Sequence, residues 1–214
     1  MKYSSLVAAL LVLSLTAYGK TGAAAEAASE ATPVIAPSPT PKALPTPTGW
    51  LEPSYGPALA HEMSAKGNIH RYTERVVFPA YRLTGIPVPD ESQLTRPELV
   101  LVRHAHNVTQ TFDWNMSNAL WDPVSRAAYE AEMAKFNDTP EKSVKNWKEG
   151  YKGKQLEIYK RVDIPGYVLF YVGIVGEPPA DRVRALPFAL KEENKRWWLT
   201  HDLRANPVLA KDFF

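Results

Sequence analysis

The residues of this chain that could do chemistry carry oxygen or nitrogen, because its 214 residues include no cysteine. Disulfides, thiolate metal sites and thiol nucleophiles are therefore excluded. His104 and His106 are the most closely spaced histidines. Their spacing would suit two metal ligands on a strand but directs them apart on a helix, and no pair of carboxylates accompanies them. We therefore predict no metal site and no cofactor.

A second pattern around His104 would act on phosphate. The run Leu99-Val-Leu-Val-Arg-His-Ala105 resembles the strand and Arg-His signature of the histidine phosphatases, in which imidazole attacks phosphorus and arginine holds the phosphate oxygens. That family carries the motif on the first strand of a parallel α/β domain and needs a further arginine and a second histidine. Beyond His106, which directly follows the motif, the only later histidine is His201, and it lies in a predicted strand. A phosphatase is kept as a remote alternative, and we predict that Arg103 and His104 lie on a helix.

Three helix-start signals precede the predicted sheet. Thr95-Arg-Pro-Glu98 fits a capping box, in which the threonine is the N-cap and the glutamate reaches back to it. Asp122-Pro123 and Thr139-Pro140 each place an N-cap residue before a proline in the first turn. The apolar stripes behind these starts are Leu101, Ala105, Val108 and Phe112, then Tyr129, Met133 and Phe136, then Val144, Trp147 and Tyr151, with Gly153 ending the third helix.

Four apolar runs near the carboxyl end predict an antiparallel meander. Residues 155–162 alternate as a half-buried strand does, which places Leu156, Ile158 and Val162 on one face and Glu157, Tyr159 and Arg161 on the other. Residues 167–175 read as a central strand covered on both faces. The runs 182–190 and 196–203 are joined by a polar hairpin connection in which Asn194 can adopt positive φ. Helices first and strands last indicate an α+β fold, with helices packed on a curved antiparallel sheet.

The composition of the first 48 residues indicates an export signal and a spacer rather than a packed domain. A short leucine-rich run after Lys2, followed by small residues, predicts a signal peptide over residues 1–25, with a retained amino-terminal membrane anchor as the alternative. Residues 26–48 are rich in alanine and proline and predict a disordered linker. We expect a periplasmic or secreted protein of bacterial type without stable membrane insertion after processing.

Residues 49–94 are predicted to form an amino-terminal extension of the domain, which itself spans residues 95–214. Within the extension, residues 61–66 suggest a short helix and residues 72–78 an extended segment, while Pro79 argues against a central strand. Lysine and arginine number 25 and acidic residues 23. A charge balance this even lacks the basic footprint of a nucleic-acid-binding protein.

Two segments of the domain carry a family resemblance. They are Thr111-Phe-Asp-Trp-Asn-Met-Ser-Asn-Ala-Leu-Trp-Asp-Pro-Val-Ser-Arg-Ala-Ala-Tyr129, after the capped first helix, and Lys195-Arg-Trp-Trp-Leu-Thr-His-Asp-Leu203. With them, residues 95–207 resemble the nuclear transport factor 2-like superfamily, in which the first segment forms the second helix and the last segment the final strand. The resemblance implies a cone-like α+β fold that encloses a pocket between its helices and a concave sheet.

The aromatic and titratable residues of these segments and of the meander are the candidates for lining that pocket. They are Trp114, Trp121, Tyr159, Tyr171, Trp198 and His201. The isomerases of the superfamily use an aspartate base and a tyrosine or protonated acid as oxyanion hole. These residues cannot be placed here by motif, so we assign no catalytic residue. Strand alternation requires either His201 or Asp202 to face inward.

We expect an exported domain that binds a small apolar ligand or an envelope protein in the cone pocket without catalysis. The alternative is a small-molecule isomerase, cyclase or dehydratase that works by proton transfer. A catalytic version should hold a titratable residue deep in an open pocket, whereas a binding or structural version should have a pocket filled by its own aromatic side chains. The sequence identifies neither ligand nor partner, and a homodimer stays open.

Overall fold

The computed structural model describes residues 49–65, 68–177 and 187–201. The predicted signal peptide and linker, residues 1–48, lie outside the described residues. The helices and strands are β1 (Leu59–Ala65), β2 (Asn68–Arg82), α1 (Pro97–His106), α2 (Trp114–Asn118), α3 (Pro123–Lys135), α4 (Pro140–Tyr151), β3 (Leu156–Ile164), β4 (Tyr167–Ile174), β5 (Phe188–Glu193) and β6 (Arg196–Leu199). No helix in these described ranges is long and apolar enough to span a membrane.

The strands form one antiparallel sheet in the order β1-β2-β3-β4-β5-β6. Each strand pairs with the next strand along the chain, including β2 with β3, although the helices lie between these two in sequence. The first and last strands do not pair with each other, so the sheet is open. The predicted α+β class and the antiparallel meander are therefore confirmed.

The amino-terminal extension contributes two strands to this sheet, and two predictions for it were wrong. Residues 61–65 of the predicted helix belong instead to strand β1, which pairs with β2 from Leu59↔Glu74 to Ala65↔Asn68, and residue 66 lies outside the described residues. Pairing with the next strand outweighs the weak helical pattern of such a short run. The strand through Pro79 is internal, yet the proline lies in the register shift between Val76 and Tyr81, where no ladder hydrogen bond is required of it.

The helix starts follow the local signals at two of the three predicted positions. Asp122 caps α3 by accepting from the backbone N–H groups of Val124 and Ser125, and Thr139 caps α4. The predicted capping box at Thr95 was wrong, because α1 begins at Pro97 with Arg96 as an N-cap that makes no side-chain bond. The carboxylate that would complete the box, that of Glu98, is buried in other contacts.

The apolar stripes of the helices are only partly buried. Leu101, Ala105 and Val108 are buried as predicted, and so is Met133 in α3. Phe136 is 56% exposed because it lies past the last residue of α3. At the end of α4, Tyr151 is 39% exposed and Gly153 adopts a φ of 71°, as a helix-ending glycine should. The last residues of these two predicted stripes, Phe136 and Tyr151, are therefore more exposed than the sequence pattern predicts.

The carboxyl-terminal hairpin has a shorter turn than predicted. β5 continues to Glu193, and the turn consists of Asn194 and Lys195 with φ values of 54° and 63°. The prediction of positive φ at Asn194 is confirmed, and the pair forms a two-residue turn that matches strand twist. β6 ends at Leu199 rather than at residue 203. Residues 182–186 and 202–203 of the predicted strands lie outside the described part of the chain.

Both faces of the sheet carry buried apolar side chains. The helix-side cluster contains Val77, Leu83, Leu94, Leu99, Val100, Leu101, Val102, Ala105, Val108, Leu120, Leu156, Ile158, Val168, Phe170, Leu190 and Leu199. The far-side cluster contains Val162, Ile164, Leu169 and Ala189. Val168 and Phe170 belong to the first cluster and Leu169 to the second, so β4 is covered on both faces, as predicted.

An irregularity in β3 changes which of its side chains face the helices. The register shifts between Ile158 and Lys160, so Ile158 belongs to the helix-side cluster while Val162 belongs to the far-side cluster. The prediction that both lie on one face was wrong, because a bulge inserts one residue and reverses the alternation beyond it. As a result the side chain of Arg161 turns toward α1, where it meets Glu98.

Candidate functional site

A cleft of about 270 Å³ opens where the amino end of α1 meets β3 and β6. Its walls include three aromatic residues and two charged ones: Trp50, Tyr55, Trp197, Glu98 and Arg161. Concave sites with aromatic walls and a few convergent polar groups are the usual form of small-ligand sites. This cleft is therefore the candidate functional site.

Backbone pairing fixes the elements that carry the cleft residues. Tyr55 forms a bridge with Val77 of β2, and the flanking Gly56 donates to the carbonyl of Val76 at 2.9 Å. Trp197, in the short strand β6, donates its backbone N–H to the carbonyl of Leu94 at 2.9 Å. The segment before β1 and the residues before α1 are thus both tied to the sheet at this point.

The floor of the cleft is a cluster of four hydrogen-bonded polar side chains. The Tyr55 hydroxyl donates to Oε1 of Glu98, and Nη1 of Arg161 donates to the same oxygen at 2.9 Å. On its other side, Arg161 donates from Nε and Nη2 to Oδ1 of Asp163, at 2.9 and 2.7 Å. The guanidinium also lies 5.1 Å from the Tyr55 ring centroid. Arg161 is therefore held between two carboxylates and an aromatic ring.

Burial and charge hold the two donors of this cluster in their protonated forms. Burial, and then the charge of Glu98, raise the pKa of Tyr55 above its usual range. Burial alone would lower the pKa of Arg161, but hydrogen bonds to Asp163 and Tyr55 and the two carboxylate charges raise it. Both groups therefore stay protonated near neutral pH.

The charged groups of the cleft and its floor are paired with one another. Glu98 and Asp163 both bind Arg161, so its guanidinium already has two carboxylate partners. At the rim, Arg96 forms an ion pair with Glu52 and lies 5.1 Å from the Trp50 ring centroid. That exposed pair adds no net charge. The site therefore does not favour an anion.

Nε1 of Trp50 and the hydroxyl oxygen of Tyr81 are two further buried polar atoms near the cleft. They interact with each other: burial raises the pKa of Tyr81 to about 12, and a hydrogen bond from the Trp50 side chain opposes that rise. This contact helps to hold the Trp50 ring in the wall of the cleft.

The six residues predicted to line the pocket lie in four different places. Trp114 stacks on Trp147, with ring centroids 5.9 Å apart, and lines a second cavity of about 490 Å³ beside α4. Of the six, only Trp114 lines either of these two cavities of the described chain. Trp198 lies under the guanidinium of Arg196, 3.8 Å from its ring centroid.

The remaining four candidates form two pairs. Trp121 stacks on His201 with centroids 4.2 Å apart, near the start of α3. Tyr159 and Tyr171 lie 6.2 Å apart, and Tyr171 packs against the far-side cluster. Asp202 lies outside the described residues, so its facing is undetermined. Four of the six candidates thus lie in two pairs, and none of the six lines the cleft.

Sequence reasoning missed the residues that form the cleft. Glu98 was assigned to a capping box, and Arg161 to the solvent side of its strand. Tyr55 and Trp50 lie in a segment with no readable periodicity. The available signal was a carboxylate directly before four consecutive apolar residues, because Glu98 precedes residues 99–102, all of which are buried.

The Arg-His motif lies on α1, as predicted, and its two side chains separate. Arg103 donates from Nη1 to the carbonyl of Pro89 at 2.8 Å. His104 packs edge-on against Phe188 at 5.2 Å, and its Nδ1 is buried without a hydrogen-bond partner. Burial lowers the pKa of His104 to about 4. Arg103 and His104 therefore do not adopt the strand-borne arrangement that the histidine phosphatases use to bind and attack phosphate.

The titratable side chains of the described chain show no group of three or more histidines and carboxylates that could hold a metal ion. No protein-family model matches the chain, and comparison with the curated proteins and with the solved structures finds no match.

Proposed function

We propose that this protein is a non-catalytic binding domain whose cleft takes a small, largely apolar ligand that is neutral or carries one positive charge. The observation that carries the proposal is the aromatic opening formed by Trp50, Tyr55 and Trp197 above a buried, hydrogen-bonded charged floor. Aromatic walls supply most of the contact area of such sites, and a few fixed polar groups supply orientation.

The interior between α1 and the sheet supports binding at the cleft rather than in a deep cone pocket. Leu101, Ala105, Phe170 and Leu190 are all at most 1% exposed and pack together there. A pocket filled by the protein's own side chains is what the sequence argument expected of a binding or structural domain. The described residues between α1 and the sheet thus form a packed core at the place where the family resemblance implies an open cone pocket.

Proton-transfer catalysis receives less support from the same cleft. A general acid or base works best when its pKa lies near the operating pH. The pKa values of Tyr55 and Arg161 are instead displaced upward, away from neutrality. Glu98 and Asp163 are engaged by Arg161. An isomerase, cyclase or dehydratase therefore stays a second hypothesis, without an observation in its favour.

The charge of the site supports a neutral or cationic ligand. The Arg161 guanidinium is already engaged by the carboxylates of Glu98 and Asp163, so an anionic ligand would have to displace one of them. A cationic group would be attracted by the aromatic faces of Trp50, Tyr55 and Trp197.

We also keep two sequence-based inferences as parts of this proposal. The first is a relationship to the nuclear transport factor 2-like superfamily, which is supported by capped helices before a terminal meander. The second is export to the periplasm or outside the cell, which is supported by the leader-like composition of residues 1–25. A ligand drawn from the cell envelope follows from the second.

Native mass spectrometry of the full chain, purified from its own cell envelope, tests the proposal. Wild-type protein should retain a small bound mass that dissociates on mild activation. Trp50→Ala should lose that mass, whereas the matched variant Trp114→Ala, which alters the other cavity, should keep it. A bound mass that survives Trp50→Ala in a folded protein, or a wild-type protein that carries none, would contradict binding at this cleft.

A further inference from the structure

The β1–β2 hairpin places two histidines and a methionine side by side on one face of the sheet. His61 and Met63 are two residues apart in β1, so their side chains point to the same face. Met63 pairs directly with His70 of β2, which brings the third side chain to that face. Directly paired Cβ atoms lie about 5 Å apart and diagonal neighbours about 7–8 Å apart. Three side chains of this length can converge on one point.

Both imidazoles leave a ring nitrogen unused. Nε2 of His61 and Nε2 of His70 are buried and find no hydrogen-bond partner. An imidazole nitrogen that is withdrawn from water without a partner is destabilising, unless another atom occupies its lone pair. His61 is also held in place by stacking on Tyr72, with ring centroids 4.9 Å apart at 16°. Two oriented and unsatisfied nitrogens on one hairpin face are the feature that needs an explanation.

The third side chain selects the kind of partner. Met63 packs against the far-side cluster of Val162, Ile164, Leu169 and Ala189, so its thioether lies in an apolar environment. A thioether is a weak hydrogen-bond acceptor but a good ligand for soft metal ions, and imidazole suits copper as well as zinc. Hard cations require oxygen ligands, which this arrangement does not offer.

We propose that His61, Met63 and His70 form a binding site for a monovalent copper ion, with two imidazole Nε2 atoms and one thioether sulfur as ligands. Cu(I) accepts low coordination numbers and soft ligands, and a site on an apolar sheet face favours an ion of low charge over a divalent one. The site lies on the face opposite the cleft floor, so it is independent of the proposed ligand cleft.

A competition titration tests this site. Cu(I) held by the coloured chelator bicinchoninate is titrated, without oxygen, with the full-length protein, and the loss of colour reports transfer of the ion. Wild-type protein should remove one equivalent. Met63→Leu and His70→Gln should each weaken binding by roughly tenfold or more, since each removes a ligand atom while the hairpin keeps its shape. The matched variant Met116→Leu, which alters a methionine of α2, should behave as wild type.

A second readout identifies the ligands directly. Addition of Ag(I), a redox-inert substitute for Cu(I), should shift the ring-proton resonances of His61 and His70 in the NMR spectrum, and Zn(II) at equal concentration should shift them much less. Circular dichroism on each variant verifies that the fold is intact. The proposal is overturned if wild-type protein takes up no Cu(I), or if Met63→Leu and His70→Gln bind it as tightly as wild type. It is equally overturned if the Ag(I)-induced shifts fall on other histidines.

Discussion

Stability should depend on the neutral state of His104, and the size of this effect can be worked out from its burial. The half-buried imidazole packs against Phe188, which borders the helix-side cluster, and its Nδ1 is buried without a hydrogen-bond partner. Burial lowers the pKa of His104 to about 4 from the ordinary 6.5. Between those two pH values, the imidazole of His104 is therefore protonated in the unfolded chain and neutral in the folded chain.

The sign follows from this difference. Because the folded-state pKa is the lower one, stability is complete above about pH 6.5 and falls as the pH drops toward about 4. The shift is about 2.5 pKa units, and each unit is worth about 1.4 kcal/mol. Between about pH 7 and pH 4.5, His104 should therefore cost the protein roughly 2 kcal/mol of unfolding free energy.

Urea unfolding, followed by tryptophan fluorescence at the two pH values, measures this quantity. Carboxylates also titrate in this interval, so the comparison is made against His104→Leu, which cannot take up the proton. The variant should lose roughly 2 kcal/mol less than wild type between the two pH values. As a control, Val108→Ala in the same core should lower stability at both pH values while keeping the wild-type pH dependence. A wild-type pH dependence in His104→Leu would refute the reasoning.

Three further perturbations test individual contacts by urea unfolding. Glu98→Gln should lower stability by roughly 2–4 kcal/mol, because Arg161 and Tyr55 lose a buried charged acceptor; a loss below about 0.5 kcal/mol would show that the floor is solvated. Asp122→Ala should cost roughly 2–3 kcal/mol, since it removes a fully buried N-cap and the partner of Lys191 at 3.3 Å, and Asp122→Asn should restore only the cap. Phe170→Ala should cost about 3–5 kcal/mol, whereas deletion of residues 1–48, a predicted leader and spacer, should change stability little; equal losses would contradict the predicted domain boundary.

The elements that the sequence predicted well depend on contacts within a few residues. Asp122 and Thr139 accept bonds from N–H groups two or three positions along the chain, and Asn194 adopts the positive φ that a two-residue turn requires. Such signals are complete within a short window of sequence. The apolar run of β4 also suffices to place a strand that is buried on both faces.

The elements that the sequence misjudged depend on how the strands pair. β1 is a strand because β2 lies beside it, and its own residues fit a short helix equally well. The bulge between Ile158 and Lys160 reverses the facing of the rest of β3, which no alternation pattern can foretell. That reversal turns Arg161 toward Glu98 and creates the floor of the cleft. The bulge that forms the floor of the candidate site is therefore also the reason why the site could not be predicted from the sequence.

Binding of a small aromatic fragment to the full-length protein tests the central claim most directly. Benzylamine and benzyl alcohol are titrated, with benzoate as the anionic comparison, while the tryptophan indole N–H resonances are followed by NMR. A dissociation constant of about 1 mM corresponds to about −4.1 kcal/mol, which eight non-hydrogen atoms can supply in an aromatic cleft. The account predicts saturable shifts at Trp50 and Trp197 with the amine and the alcohol, weaker shifts with benzoate, and loss of all of them in Trp50→Ala. Shifts centred on Trp114 and Trp147, or preference for benzoate, would contradict it.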